Sequence, residues 1–220
     1  IYEDSAYEPY LALLKSGKMT VLDVLENIKS EKRVIRDTIY NTFTFDKSKQ
    51  NLLEKHIKLL NISRKIITTN YDRLLENAME DSIPSISHTN THMLAQLQSQ
   101  GAYIYKIHGD HLDADKCILL KEDYESLYTK DNAALTQFKN IIINSRIVFI
   151  GFSMSDPYVN NLFEYIHETF QGYHEKGYIL TVNNDDFSKY NVKNIKLENY
   201  DEITLFLDNL LSEVEKKKQI

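Results

Sequence analysis

Hydrophobic positions in the first sixty residues recur at helical spacing. One apolar stripe starts at Val21 and ends at Ile28, and a second runs from Leu52 to Leu60 with His56 inside it. Residues three and four positions apart share one face of a helix, so this spacing predicts helices that each bury one face. A histidine within such a stripe is more often a packed core residue than a ligand. We therefore expect residues 1–60 to be mainly helical.

From about residue 61 the pattern changes to short β-branched runs, each followed by a polar turn and a helical segment. Strands are predicted at Lys65–Thr69, Ala102–Ile107, Arg146–Gly151, Gly177–Val182 and Asn194–Leu197. Alternating strands and helices indicate an α/β fold with a parallel, doubly wound sheet and helices on both faces. The third run, Arg146–Gly151, is apolar on both faces, which is typical of a central strand.

The composition is that of an ordinary globular domain, since 42% of the 220 residues are hydrophobic and 26% are charged. The single cysteine, Cys117, excludes an intrachain disulfide and a cysteine-rich zinc module, and a reducing cytoplasm is the expected compartment. We find no apolar run near the ~20 residues that span a bilayer and no basic signal region, so no membrane contact is expected. The formal charge of −6 disfavours nucleic acid as a direct partner.

Polar side chains collect where the predicted strands end. The first four strands are followed, in turn, by Asn70 and Asp72, by His108 and Gly109, by Gly151, Ser153 and Asp156, and by Asn183. In an open parallel sheet, ligands bind beyond these strand ends, because the loops diverge there and helix N-termini present free N–H groups. Each motif alone also fits helix capping, since Asn and Asp are preferred caps and Pro is favoured at the first helical position. Four successive strand ends of this kind favour a ligand site.

Four segments together resemble a known family. They are Ile-Ile-Thr-Thr-Asn-Tyr-Asp at 66–72, Tyr-Lys-Ile-His-Gly-Asp at 105–110, Ile-Leu-Leu-Lys-Glu-Asp-Tyr at 118–124 and Phe-Ile-Gly-Phe-Ser-Met-Ser-Asp-Pro at 149–157. In order and spacing, over about residues 20–212, they resemble the motifs of sirtuin-like domains in prokaryotic antiphage defence proteins of the Thoeris-effector type. The resemblance implies a Rossmann-like fold that binds NAD and hydrolyses it to nicotinamide and ADP-ribose. NAD depletion, a form of abortive infection, would then be the means of defence.

The resemblance also implies roles for individual residues. Asn70 and His108 would form the catalytic pair, and Asp72 would lie beside the nicotinamide ribose. The remaining residues expected to bind NAD are Thr69, Gly109, Gly151, Ser153 and Asn183, the last on the strength of Thr-Val-Asn alone. The chemistry suits these residue types. Nicotinamide leaves as a neutral molecule, so the site needs a base such as neutral histidine and an amide that holds water or a ribose hydroxyl.

The chain departs from the family pattern in two respects. Sirtuin deacylases carry a four-cysteine zinc module, which one cysteine cannot build, so we expect no metal and no deacylation. The family's first strand-to-helix turn, a Gly-Ala-Gly-x-Ser loop, is also absent, and Ser16-Gly17-Lys18 follows a helical pattern instead of a strand. We therefore expect one domain over residues 1–220 whose first strand and glycine loop lie upstream of Ile1.

The missing glycine loop keeps a second function open, that of a non-catalytic module that senses NAD or ADP-ribose. The family resemblance further implies a homo-oligomer and a fused or separate sensor protein as partners. Asp156 is expected to cap the helix that begins at Pro157, with its carboxylate turned back onto the helix N-terminus.

Overall fold

The computed structural model describes residues 7–218 and has an α/β fold built on parallel strands. Its strands are β1 (Lys65–Thr68), β2 (Ser85–Ser87), β3 (Tyr103–Lys106), β4 (Val148–Phe149), β5 (Gly177–Thr181) and β6 (Val192–Lys196). They form two three-stranded sheets with the orders β1-β3-β2 and β4-β5-β6, and every pair of neighbours is parallel. The predicted α/β class with a parallel arrangement is confirmed.

Helices precede, connect and follow these strands. The α-helices are α1 (Glu8–Lys15), α2 (Val21–Asn27), α3 (Lys32–Phe43), α4 (Glu54–Ile62), α5 (Leu74–Ala78), α6 (Thr91–Ala95), α7 (Lys121–Tyr128), α8 (Ala133–Asn144), α9 (Pro157–Thr169) and α10 (Glu202–Lys218). Short 3₁₀ helices cover Lys29–Glu31, Lys47–Leu53, Leu97–Ser99, His111–Lys116 and Ser188–Tyr190. Within the described residues, none of these helices is both long enough and apolar enough to cross a bilayer.

Three details differ from the sequence prediction. The single predicted sheet is divided in two, because β1 pairs with β3 and β4 with β5, and among the described residues β1 and β4 do not pair with each other. The strand predicted at Arg146–Gly151 shrinks to Val148–Phe149 and lies at an edge, with Val148 42% exposed, so its prediction as a central strand is wrong. Strand β2 was not predicted at all.

Three apolar clusters hold the layers together. The largest packs α7, α8 and α9 against both sheets and includes Tyr105, Phe138 and Ile179. A second cluster, around Leu60 and Ile104, packs α4 on the first sheet, and a third, around Ile35 and Cys117, packs α3 on the segment that follows β3. Each fully buried aliphatic side chain contributes about 1.5–3 kcal/mol. The first sheet is therefore covered by α4, which contains the second of the chain's early apolar stripes.

Candidate functional site

The ends of β1 and β3 bring the predicted catalytic pair onto neighbouring strands. The register pairs Thr68 with Lys106, so Asn70 and His108 each follow a paired position by two residues. The backbone N–H of Ile107 donates to the Thr68 carbonyl at 3.1 Å, and the Asn70 N–H donates to Thr68 Oγ1 at 3.0 Å. Asn70 is exposed, whereas His108 is buried. An open amide and a sheltered imidazole thus lie at adjacent strand ends.

His108 sits beneath two tyrosines of α7. Its imidazole is 3% exposed, and its ring lies edge-on to Tyr124 and Tyr128, with centroid distances of 5.2 and 5.9 Å. Burial lowers the pKa of His108 to about 3 and raises that of Tyr128, so both groups are neutral at pH 7. The Tyr128 hydroxyl forms a hydrogen bond with His108 Nε2 at 2.7 Å.

Asp156 connects the second sheet to this histidine. Its Oδ1 accepts from the backbone N–H groups of Tyr158 at 2.9 Å and Val159 at 3.1 Å, which is the predicted capping role at the start of α9. Its Oδ2 lies 3.9 Å from His108 Nε2. Burial raises the pKa of Asp156, against the effect of the two N–H donors. One carboxylate thus caps a helix and faces the imidazole, and only the first of these was expected.

The loop after β1 holds Thr69 and Asp72 beside Asn70. Thr69 is half-buried, and Asp72 Oδ1 accepts from the Leu74 N–H at 3.0 Å at the start of α5. Asp72 thus has a structural role at the start of α5.

The two predicted glycines serve different needs. Gly109 has φ +98°, and a Cβ there would lie 3.1 Å from Cys117 Cα and 3.2 Å from the Lys116 carbonyl oxygen. The chain itself therefore fills the space at Gly109. Gly151 has φ +67° and nothing within 4 Å of a Cβ position, so the turn after β4 needs glycine and leaves open space beside it.

Ser153 and Asn183 lie further along the same edge. Ser153 is exposed and its hydroxyl bonds to Ser155 Oγ at 2.6 Å. Asn183 is exposed two residues beyond β5, where its N–H donates to Thr181 Oγ1 at 3.0 Å. Both belong to the second sheet, so a ligand that reaches them and Asn70 must extend across both sheets.

Sequence reasoning missed several residues around His108. Tyr124, Tyr128 and Tyr158 stack on one another, with Tyr124 and Tyr158 centroids 4.9 Å apart. The spacing of Tyr124 and Tyr128 by one helical turn was a signal that could have placed both on one face. His88, directly after the unpredicted strand β2, also lowers the pKa of His108 by its proximity, and its Nδ1 is buried without a hydrogen-bond partner in the described part of the chain.

Two further features of the described residues bear on metal and ligand binding. Across residues 7–218, no group of three or more His, Cys, Asp or Glu side chains is arranged to hold a metal ion. A cavity of about 550 Å³ lies between α3 and the His111–Lys116 turn. Its cations have acidic partners, such as Arg36 with Asp115 at 3.0 Å and Lys32 with Glu122 at 2.9 Å.

Residues 64–205 match the family model of the SIR2-like domain. The match covers more than half of the chain and contains all the strand ends described above. The chain belongs to the SIR2-like domain family. This assignment confirms the sirtuin-like resemblance that the four sequence motifs indicated.

Named relatives of this SIR2-like domain come from bacteria. The chain is 26% identical to "NAD(+) hydrolase ThsA" of Bacillus cereus (strain MSX-D12) over 174 residues, which are 68% of the chain and 37% of the relative. It is 30% identical to "NAD(+) hydrolase ThsA" of Acinetobacter baumannii (strain 532279) over 125 residues, covering 55% and 26%. It is 25% identical to "Defense-associated sirtuin 2" of Bacillus subtilis over 187 residues, covering 81% and 18%. The chain thus spans less than two fifths of the length of these curated relatives.

Replacing Asp156 separates its capping role from its charge. Asp156→Ala removes the acceptor of two N–H groups and should lower the free energy of unfolding by about 0.5–2 kcal/mol. Asp156→Asn keeps a cap oxygen and should stay within about 0.5 kcal/mol of the parent, since Asn and Asp cap equally well. Urea unfolding at pH 7 measures both. An alanine variant as stable as the asparagine variant would contradict the capping role.

The buried neutral His108 should make stability depend on pH. The unfolded chain takes up this proton near the ordinary pKa of 6.5, and the folded protein only near 3, so the unfolded state binds more protons between these values. The stabilisation is complete above about pH 6.5 and is lost, by up to roughly 1.4 kcal/mol per pH unit, as the pH falls towards 3.

The measurement is urea unfolding of the parent and His108→Gln from pH 7 to pH 4. The parent should lose stability more steeply than His108→Gln on acidification, whereas the exposed control His92→Gln should follow the parent. Parallel curves for the parent and His108→Gln would show that His108 is protonated equally in both states.

Proposed function

We propose that this SIR2-like domain hydrolyses NAD to nicotinamide and ADP-ribose and acts as an antiphage effector by NAD depletion. The carrying observation is that Asn70 and His108 lie at adjacent strand ends, with Asp156 of the second sheet 3.9 Å from His108. The names of the relatives, NAD(+) hydrolase and defence-associated sirtuin, support the same reaction and setting. NAD is then the substrate, and the reaction requires no metal.

The reaction breaks the bond between the nicotinamide nitrogen and ribose C1′. The bonding electron pair leaves with nicotinamide, which departs neutral, and the ribose develops oxocarbenium character. Water adds to C1′ and releases one proton, so NAD and water give nicotinamide, ADP-ribose and a proton. The exposed Asn70 amide can hold the water or a ribose hydroxyl, and neutral His108 can accept the proton.

Asp156 gives this proton transfer an electrostatic partner. Once Nε2 is protonated, the imidazolium would face the Asp156 Oδ2 now 3.9 Å away, and a carboxylate at this distance stabilises the cation in a partly buried site. The Tyr128 hydroxyl is hydrogen-bonded to the same nitrogen in this structure, so it must move off Nε2 before that nitrogen can accept a proton from water.

Removing either member of the pair should abolish turnover. His108→Ala and Asn70→Ala should each reduce nicotinamide release by roughly 10²–10⁴-fold or more, because each deletes a group that handles the proton or the nucleophile. The measurement is nicotinamide release from NAD by the full-length protein, with its activator where one is needed. His92→Ala, an exposed histidine of α6, is the matched control and should turn over like the parent. Parent-like release by either site variant would refute the catalytic pair.

A second candidate is a non-catalytic module that binds NAD or ADP-ribose and signals their presence. The observation that favours it is that His108 is 3% exposed and its Nε2 is occupied by Tyr128. Calorimetry separates the two functions. Saturable binding of NAD without nicotinamide release under every activating condition supports the sensor, and turnover supports the hydrolase.

The domain organisation also stays a proposal. We propose one Rossmann-type domain over residues 1–220 that lacks the family's first strand and glycine loop. Its support is that β1 and β4 each have a single strand neighbour among residues 7–218. A homo-oligomer, a fused or separate sensor protein and a cytoplasmic location remain predictions as well, and sedimentation of the full-length protein tests the first.

A further inference from the structure

A buried lysine lies directly beneath the candidate site. Lys106, the last residue of β3, is 1% exposed, and its ammonium donates to the Tyr71 carbonyl at 3.3 Å and to the Asp72 carbonyl. Two carboxylates flank it, Glu76 Oε1 and Asp110 Oδ2, each 3.5 Å away. The ammonium is thus surrounded by oxygens of three separate segments.

Each flanking carboxylate has a second partner of its own. Glu76, 2% exposed on α5, accepts from Ser85 Oγ of β2 at 2.6 Å. Asp110 pairs with Arg73 at 2.8 Å, and Arg73 reaches Asp81 at 2.7 Å. Two cations and two carboxylates thus form one cluster, whose members are Lys106, Arg73, Glu76 and Asp110.

Stability alone does not account for such a cluster. Taking an ion out of water costs several kcal/mol, and well-packed apolar side chains are often as stabilising as a buried ion pair. An apolar side chain at position 106 could not, however, donate to the Tyr71 and Asp72 carbonyls. The distinctive contribution of Lys106 is therefore geometric, since it fixes the path of the backbone on either side of these two carbonyls.

The backbone that Lys106 holds is the one that carries Asn70. Tyr71 and Asp72 directly follow Asn70, and His108 lies two residues beyond Lys106 on the same strand end. The Tyr71 carbonyl also accepts from the His111 N–H at 3.0 Å, so the segment after β3 makes a second hydrogen bond to the loop after β1.

We propose that Lys106 is a positioning residue, whose buried ammonium holds the Asn70–Asp72 loop in register with His108. Its effect on catalysis rests on the proposed NAD hydrolysis, whereas its effect on the loop does not. Lys106 touches no substrate, because it is covered by the loop that it holds.

The variants must remove the hydrogen bonds without leaving a buried unpaired charge. Lys106→Met alone would leave Glu76 and Asp110 sharing the one charge of Arg73, so Lys106→Met/Glu76→Gln is the informative variant and Glu76→Gln its matched control. Lys193→Met, an exposed lysine of β6, controls for replacing any strand lysine by methionine. Thermal melts should show the double variant more stable than Lys106→Met alone.

The first readout is hydrogen–deuterium exchange in the full-length protein. Residues 69–73 should exchange at least tenfold faster in Lys106→Met/Glu76→Gln than in Glu76→Gln, with β5 unchanged. Equal exchange of residues 69–73 in these two variants would overturn the proposal. This readout needs no activity, so it decides the role of Lys106 even if the parent protein releases no nicotinamide, a result that would refute only the proposed hydrolysis.

The second readout is kinetic. A misplacement of about 1 Å costs up to about 10²-fold in rate, so kcat for nicotinamide release should fall 10–100-fold in the double variant relative to Glu76→Gln, with KM changed less than threefold. Lys193→Met should keep the parent's kcat and KM. If the double variant keeps the parent's kcat, or if only its KM rises, Lys106 does not position the Asn70 loop for catalysis.

Discussion

The ammonium of Lys106 and the oxygens around it constrain the whole carboxyl edge of the first sheet. Lys106 ends β3, the carbonyls of Tyr71 and Asp72 belong to the loop after β1, and Glu76 extends the contact to Ser85 at the start of β2. A buried cation must keep its partners, because an unpaired charge costs several kcal/mol. The three strands are thus joined by one network of buried ionic and hydrogen-bonded contacts close to Asn70 and His108.

Asp156, which follows β4, carries the second sheet's charge to this edge. Asp156 uses Oδ1 for two N–H groups of α9 and directs Oδ2 towards His108, so the cap that starts the helix also sets the orientation of a charge. Capping geometry is determined by the helix backbone, which is rigid once α9 is packed through Val159 and Phe163. The distance between the second sheet's loop and His108 therefore depends on helix packing in addition to the loop itself.

The sequence was most informative where the signal was periodic or local, and least informative where contacts join distant segments. Helix α9 begins at Pro157, as the Asp-Pro pair predicted, and the ligand-type residues could be singled out because they follow apolar runs. Strand β2 was not predicted because Ser-Ile-Ser contains only one apolar residue. Strand β4 was predicted too long because the sequence does not show which strands pair with it. Glu76 belongs to a helix on which a carboxylate is normally solvated, so nothing local showed that Lys106 would be its partner.

The burial of His108 sets a physical condition on any reaction at this site. A base is most effective with a pKa near the working pH, whereas burial lowers the pKa of His108 to about 3 and its Nε2 is hydrogen-bonded to Tyr128. In the proposed reaction, His108 Nε2 can therefore accept a proton only after α7 shifts or its tyrosines turn. The first turn of α7 is joined to the N-terminal helices by Lys121 with Asp23 at 3.1 Å and Glu122 with Lys32 at 2.9 Å. Exposed ion pairs contribute about 0–1 kcal/mol each, so these two can break, and free the first turn of α7, without unfolding the domain.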